Sequence, residues 1–217
     1  MIKHLFFDLD GTLTDPKEGI TKCVAHALRT VCGIEVADLD SLTPYIGPPL
    51  VDGFQENHGL DLPTAEACKT AYRDRFEKVG LYENQPYDGI RAALDGLRAR
   101  GYRLHVATSK PTVFSCRILD RFGLIDCFDH VCGATIDGTI STKAEVIAEL
   151  LRTLGDPARE ELLMIGDRKY DVAGAHAFGI RAVGVLYGFG DRAELEAAGA
   201  EAICPRVDKL IDTIEQL

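Results

Sequence analysis

Short runs of consecutive apolar residues punctuate the chain. Five stand out: Ile2 to Phe7, Leu104 to Ala107, His130 to Cys132, Leu162 to Ile165 and Ala182 to Val185. They are near-continuous rather than alternating, the pattern of strands buried on both faces. Between them the apolar spacing changes to a helical period. Ile90, Ala93, Leu94 and Leu97 share one face before the second run. Val113, Cys116, Leu119 and Phe122 do so before the third, and Val146, Ile147, Leu150, Leu151 and Leu154 before the fourth. Strand and helix in this alternation predict an α/β fold, a Rossmann-like parallel sheet with helices on both faces. A last amphipathic helix is expected from Val207 to Leu217, through Leu210, Ile211 and Ile214.

One stretch breaks the rhythm. From about Asp15 to Pro86 the pattern is helical throughout. Ile20, Val24, Ala27, Leu28 and Val31 make one stripe, and Ala67, Thr70, Ala71 and Phe76 lie on another. Pro44, Pro48-Pro49 and Pro63 separate the pieces. About 70 residues are too many for a simple crossover. The expected organisation is a core of residues 1–14 and 87–217, with a small all-helical domain, residues 15–86, inserted after the first strand. The chain crosses between them near Thr14-Asp15-Pro16 and near Gln85 to Gly89.

Composition narrows the function classes. The 217 residues carry 24 basic and 34 acidic side chains, a net charge of -10. Such a chain is a poor ligand for nucleic acid or an anionic membrane, so neither is an expected partner. No apolar run approaches the roughly 20 residues of a spanning helix. The start reaches Asp8 and Asp10 without the apolar stretch of a signal peptide, and a cytoplasmic location is expected. The seven cysteines, Cys23, Cys32, Cys68, Cys116, Cys127, Cys132 and Cys204, form no C-x-x-C pair. They read as small, mostly buried hydrophobes in a reducing cytosol.

In open parallel sheets ligands sit beyond the carboxyl ends of the strands. After the first strand come Asp8 and Asp10, then Gly11-Thr12. After the second come Thr108, Ser109 and Lys110; after the fourth come Gly166 and Asp167, with Asp171 four residues on. Carboxylates crowded at one edge repel each other, and a divalent cation relieves that repulsion; hard oxygen ligands suit Mg²⁺. Asp8 and Asp10 stand two apart at a strand end, so both can face the same side, and Gly11 lets the chain turn. Such a pair can divide labour, one attacking as nucleophile and the other moving a proton. Thr142-Lys143-Ala144-Glu145 has capping-box spacing, which puts Lys143 in a first helical turn. A cation there opposes the helix dipole, a small penalty that binding an anion offsets.

These segments together resemble the haloacid dehalogenase superfamily. Phe7-Asp8-Leu9-Asp10-Gly11-Thr12 matches its opening D-x-D-G-T signature, Val106 to Pro111 its second with Thr108 as the hydroxyl, Lys143 its third, and Ile165 to Val172 its fourth. Order and spacing are most similar to the phosphoglycolate phosphatase-like branch, which carries a helical C1-type cap between the first two signatures. The resemblance implies that Asp8 attacks phosphorus, giving an aspartyl-phosphate, and that Asp10 is the general acid and base. It implies Mg²⁺ held by Asp8, Asp167 and the backbone carbonyl of Asp10, with Asp171 orienting the metal's waters. Thr108, Ser109 and Lys143 would hold phosphoryl oxygens, and Gly47 and Pro48 in the cap turn Tyr45 to Leu50 would meet the substrate.

An acid at position 10 favours phosphate esters, since an alkoxide leaving group needs a proton. Two features depart from the family pattern: Ala144 stands after Lys143 where proline is frequent, and Arg168-Lys169-Tyr170 precedes Asp171. Arg168 and Lys169 read as a solvated helix start in preference to a substrate contact. The expected protein is a Mg²⁺-dependent phosphatase, monomer or homodimer, acting on a small phosphorylated metabolite. Phosphoglycolate ranks first and a nucleoside 5'-monophosphate second. A β-phosphoglucomutase-like phosphohexose mutase and a non-catalytic interaction protein are the further alternatives.

Overall fold

The computed structural model describes all 217 residues. The chain runs through β1 (His4–Phe7), a two-residue β2 (Thr14–Asp15), helices α1 (Lys17–Ala27), α2 (Leu50–His58) and α3 (Leu62–Lys78), and a two-residue β3 (Gln85–Pro86). An alternation follows: α4 (Ile90–Ala99), β4 (Arg103–Pro111), α5 (Thr112–Arg121), β5 (His130–Ala134), α6 (Lys143–Thr153), β6 (Leu162–Gly166) and α7 (Lys169–His176). It ends with β7 (Arg181–Val185), α8 (Arg192–Ala197), β8 (Ala202–Cys204) and α9 (Leu210–Glu215). The chain divides into two units, Met1–Thr14 with Pro86–Leu217, and Asp15–Gln85.

The first unit is built on a six-stranded sheet in the order β5-β4-β1-β6-β7-β8. Every neighbouring pair is parallel. The five apolar runs become β1, β4, β5, β6 and β7, and β1 sits centrally with Leu5 opposite Leu104 and Leu163. Alternation along β1 sends Phe6 to one face and Leu5 and Phe7 to the other, and all three are fully buried. Phe6 joins Ala107, Val146, Leu150, Met164 and Val172 in a core closed by α6 and α7. On the other face Phe7 meets the edge of Phe128 at 6.1 Å. Along α4, Ile90, Ala93, Leu94 and Leu97 face inward, as their spacing predicts.

Three sequence expectations are corrected here. The sheet has a sixth strand, β8, only three residues long at the edge. The strand carrying Thr108 does not stop before it: β4 continues to Pro111, with a register shift between Thr108 and Pro111. Helix α5 buries Phe114, Ser115, Ile118 and Leu119, while Val113 of the expected stripe is 50% exposed. Cys116 and Phe122 of the expected stripe are half-buried, so the buried face is turned toward Phe114 and Ile118 and keeps Leu119.

The second unit is helical. Helix α1 continues into a π-helical turn, Leu28–Cys32, and a 3-10 helix, Leu39–Tyr45, precedes α2. Its core holds Val24, Leu28, Leu42, Phe54, Tyr72 and Phe76. The wider π turn advances fewer degrees per residue than an α-helix, which carries Val31 off the stripe of Ile20 and Val24 to the surface. On α3 the buried face is Ala65, Cys68, Tyr72 and Phe76; Ala67 and Thr70 are exposed. Small side chains carry a weak pattern, and the bulkier Tyr72 decides which way α3 turns. Asp61 caps α3 by accepting the Thr64 N–H at 3.0 Å, with Pro63 in the first turn. The two chain crossings, β2 and β3, pair as a two-stranded ribbon.

Candidate active site

Asp8 stands one residue beyond β1, and its N–H donates to the Ile165 carbonyl at 2.9 Å. That bond extends the β1–β6 ladder and fixes where the carboxylate leaves the sheet. The chain then turns at Gly11, whose φ of +82° suits glycine, and Gly11 N–H donates to Thr14 O at 2.8 Å. A Cβ on Gly11 would also run into the Asp167 carboxylate. The Asp8-to-Gly11 step therefore needs its glycine both for the turn and for the approach of Asp167.

Lys143 opens α6 through the capping box expected from its sequence. Glu145 N–H donates to Thr142 Oγ1 at 3.3 Å, and Thr142 N–H donates to Glu145 Oε2 at 2.9 Å. The box aims Lys143 inward, where its side chain is only 5% exposed. Its Nζ donates to the Ala107 carbonyl at 2.8 Å and lies 2.8 Å from both Asp8 Oδ1 and Asp171 Oδ1. Burial opposes this charge, but Asp171 and Asp8 outweigh it and hold the ammonium above its ordinary pKa.

Asp167 follows β6, and its Oδ2 accepts the Phe189 N–H at 2.8 Å. Asp171, in the first turn of α7, accepts the Arg168 N–H on Oδ2 at 3.0 Å. Carboxylate oxygens of Asp8, Asp167 and Asp171 lie within 4.8 Å of one another. Burial, then the charges of Asp171 and Asp8, push the Asp167 carboxyl well up from its ordinary range. Burial likewise raises Asp171 to about 6, although Lys143 pulls it down. Three buried carboxylates thus face one ammonium, and Asp167 Oδ1 is buried without a hydrogen-bond donor. That orphaned oxygen and the all-oxygen donor set fit a hard divalent cation.

Asp10 has different company. Its Oδ2 lies 2.7 Å from Lys110 Nζ, and burial raises its pKa even though Lys110 pulls it down. Thr108 is buried, and its Oγ1 accepts the Lys110 N–H at 3.2 Å. Ser109 is half-buried on the same strand end. The core therefore brings Asp8, Lys143, Asp167 and Asp171 together, with Asp10 and Thr108 linked through Lys110. Gly47 and Pro48 belong to the second unit, in the turn between the 3-10 helix and α2. Arg168 is a structural clasp, 2.8 Å from Glu194, and Lys169 is exposed.

Sequence reasoning missed two contributors. Lys110 was visible only as the end of a Thr-Ser-Lys run; the register shift in β4 is what turns it to Asp10. The loop after β7 was unmarked, yet it gives Asp167 its backbone donor at Phe189. Gly188 is pressed so closely on Gly11 O and Asp167 that a Cβ has no room. Glycines two apart, Gly188 and Gly190, directly after a buried strand were the available signal.

Comparison with known proteins gives the family. Residues 5–185 match the model of the haloacid dehalogenase-like hydrolases. A 5'-nucleotidase of Pseudomonas aeruginosa is 44% identical over 212 residues, 98% of this chain and 95% of that one. The tyrosine-protein kinase PtkA of Mycobacterium tuberculosis is 41% identical over 186 residues, 86% of this chain but 62% of that one. A phosphoglycolate phosphatase of Photobacterium profundum is more distant, 24% identical over 99% of this chain and 96% of that one. Among solved structures, a predicted phosphatase from Clostridium acetobutylicum superposes with a TM-score of 0.97 at 46% identity, covering 100% of both chains. The chain belongs to the haloacid dehalogenase-like hydrolases. Within them it is a phosphatase, a phosphoric monoester hydrolase. No helix in it is long and apolar enough to cross a membrane.

Proposed function

We propose that this phosphatase hydrolyses a small phosphomonoester through an aspartyl-phosphate on Asp8, with a nucleoside 5'-monophosphate as the favoured substrate. The observation that carries the mechanism is the raised carboxyl of Asp10, two residues from Asp8. Asp8 has Lys143 at 2.8 Å and Asp10 has Lys110 at 2.7 Å, and burial raises the Asp10 pKa in spite of its lysine. A raised carboxyl suits a proton carrier, which leaves Asp8, beside the buried Lys143, as the nucleophile. Asp8 attacks phosphorus in line with the ester oxygen. Asp10 gives that oxygen its proton, then takes one from the water that hydrolyses the aspartyl-phosphate. Lys143, Thr108 and Ser109 hold phosphoryl oxygens and offset their charge. Asp8, Asp167 and the Asp10 carbonyl would hold Mg²⁺, with Asp171 orienting its waters. The ion supplies the positive charge that the carboxylate cluster lacks.

The sequence alone ranks phosphoglycolate first. The 44% identical relative, matched across nearly both full lengths, is named a 5'-nucleotidase, and the phosphoglycolate phosphatase stands at 24%. That difference supports reversing the order. Leaving-group selection is assigned to the helical insert as a cap, with the Ile46 to Leu50 turn as its reader.

The test is phosphate release from AMP, phosphoglycolate, glucose 1-phosphate with its bisphosphate activator, and an aryl phosphate, each with Mg²⁺ or EDTA. The expected result is Mg²⁺-dependent release, with the highest kcat/KM on AMP. Full activity in EDTA overturns the metal assignment. Glucose 6-phosphate in place of inorganic phosphate makes the protein a mutase. Pro48→Ala should change the ranking of substrates; one common factor across all of them removes the turn from substrate selection. Gly47 is less suitable for that test, because its φ of +111° would strain any side chain.

A further inference from the structure

The seven cysteines are free, but two of them touch. Cys32 ends the π-helical turn of the second unit, and Cys68 lies on the inner face of α3. Their Sγ atoms are 3.8 Å apart, in thiol–thiol contact. We propose that Cys32 and Cys68 form a redox modification site, a dithiol that a peroxide converts reversibly to an intramolecular disulfide within the helical unit.

Three features favour this over passive packing. The first is distance: a disulfide spans about 2.05 Å, so the sulfurs need to approach by only about 1.8 Å. The second is compliance on one side. The π turn is followed by Gly33 in the left-handed region and by irregular chain up to the 3-10 helix, whereas Cys68 is held within seventeen residues of α3. The third is a division of roles. Cys32 is partly exposed and Cys68 fully buried, so a solvent oxidant meets Cys32 first. Burial pushes the Cys68 thiol up to about 12, and its hydrogen bond to Cys32 adds to that. Cys68 is therefore held as the thiol in contact with Cys32, and the more accessible Cys32 sulfur is the one that meets the oxidant. A soft-metal clamp is less well supplied, since the His58 imidazole in this unit is already engaged by the Tyr45 hydroxyl at 2.6 Å.

The chemistry balances with hydrogen peroxide as oxidant. The Cys32 thiolate attacks one peroxide oxygen, the O–O bond breaks, and protonation releases one water, leaving Cys32 as the sulfenic acid. The Cys68 sulfur then attacks the Cys32 sulfur. The S–O bond breaks, the Cys68 proton leaves with the hydroxyl as a second water, and the S–S bond is formed. Two thiols lose two electrons and two protons, and the peroxide is reduced to two waters. A dithiol reductant reverses the change.

Tying the π turn to α3 stiffens the helical unit, which also carries Tyr45 and the Ile46 to Leu50 turn.

The full-length reduced protein is titrated with hydrogen peroxide, unfolded, alkylated and mapped by mass spectrometry. The expected result is loss of two alkylatable thiols, one cross-linked pair of peptides carrying Cys32 and Cys68, and reversal by dithiothreitol. Closing this loop constrains the unfolded chain, so Tm rises on oxidation and returns on reduction. Cys68→Ser should leave a Cys32 sulfenic acid that dimedone traps, and should abolish the Tm shift; Cys116→Ser should leave the shift intact. Should a serine variant fail to fold, the map of the wild-type protein decides alone. The proposal is overturned if Cys32 and Cys68 remain alkylatable at a dose that modifies other cysteines. It is equally overturned if Cys32 links two chains or goes directly to the sulfinic acid.

Discussion

At the carboxyl ends of β1, β4 and β6 most of the ionisable groups are held in ion pairs, and Asp167 is left without a cation. Asp8 and Asp171 share Lys143, and Asp10 faces Lys110. Toward the amino ends of β1, β4 and β5 the same sheet carries a row of histidines. His105 is fully buried, stacked between His4 and His130 with ring centroids 5.3 and 5.4 Å apart. His4 Nδ1 and His105 Nε2 share a hydrogen bond at 3.0 Å. Burial and the neighbouring His4 push the His105 pKa down to about 3, so the ring is neutral across ordinary pH. One end keeps charges whose sum lacks positive charge; the other removes charge by neutralisation. A buried charge is expensive and persists where something arriving later completes it. The imbalance, more than the presence of polar groups, marks the reactive end.

The contrast is broken most decisively by Asp8→Asn. The change keeps size and removes the attacking charge, so kcat should fall by about a thousandfold or more while the circular dichroism spectrum is unchanged. Retention of more than about a tenth of the wild-type kcat would remove Asp8 from the chemistry. Lys143→Ala comes next. It leaves Asp8 and Asp171 buried without their cation, a loss of about 3–5 kcal/mol in chemical unfolding without metal. It should also lower kcat/KM on every ester by about a hundredfold, by one common factor; an effect confined to one substrate would make Lys143 a specificity group.

Gly188→Ala sharpens the boundary of the reactive end. The added methyl displaces the loop and with it the Phe189 N–H that Asp167 accepts. Mg²⁺ affinity, read by activity against metal concentration, should weaken about tenfold or more, as when other groups that orient a metal ligand are lost. The smallest effect belongs to His105→Phe, which should leave kcat/KM at neutral pH unchanged. Between pH 6.5 and about 3 the unfolded chain protonates this ring and the fold does not. The unfolded state then binds more protons, so His105 makes stability fall as pH drops through that window, by at most about 1.4 kcal/mol per unit. Urea titrations across that range should show a shallower acid limb in the variant. An unaltered limb would mean that the histidine row does not titrate with unfolding.

Both ends differ in how far their sequence announces them. Asp8, Asp10, Asp167 and Asp171 are legible because each follows a run of buried strand residues, and strand ends are where parallel sheets gather ligands. Lys143 is legible through its capping box. Lys110 is not, because a register shift turned it, and register depends on a neighbouring strand. The Phe189 N–H is invisible because every residue but proline has one. Strand β8 is illegible for want of length, as three residues, two half-buried and one buried, give too little pattern. The sequence pattern turns α3 toward Ala67 and Thr70, whose small side chains neither demand nor refuse burial.

The pairing of β2 with β3 has a hereditary side. The insert departs at Thr14–Asp15 and returns at Gln85–Pro86, and these two dipeptides lie side by side. Its two ends are thus already neighbours, so joining them by a short turn adds little closure entropy, and so does replacing what lies between. Such a doorway lets recombination exchange one insert for another without re-registering a single strand of the sheet. The carboxylates of the core stand outside that exchange and descend untouched.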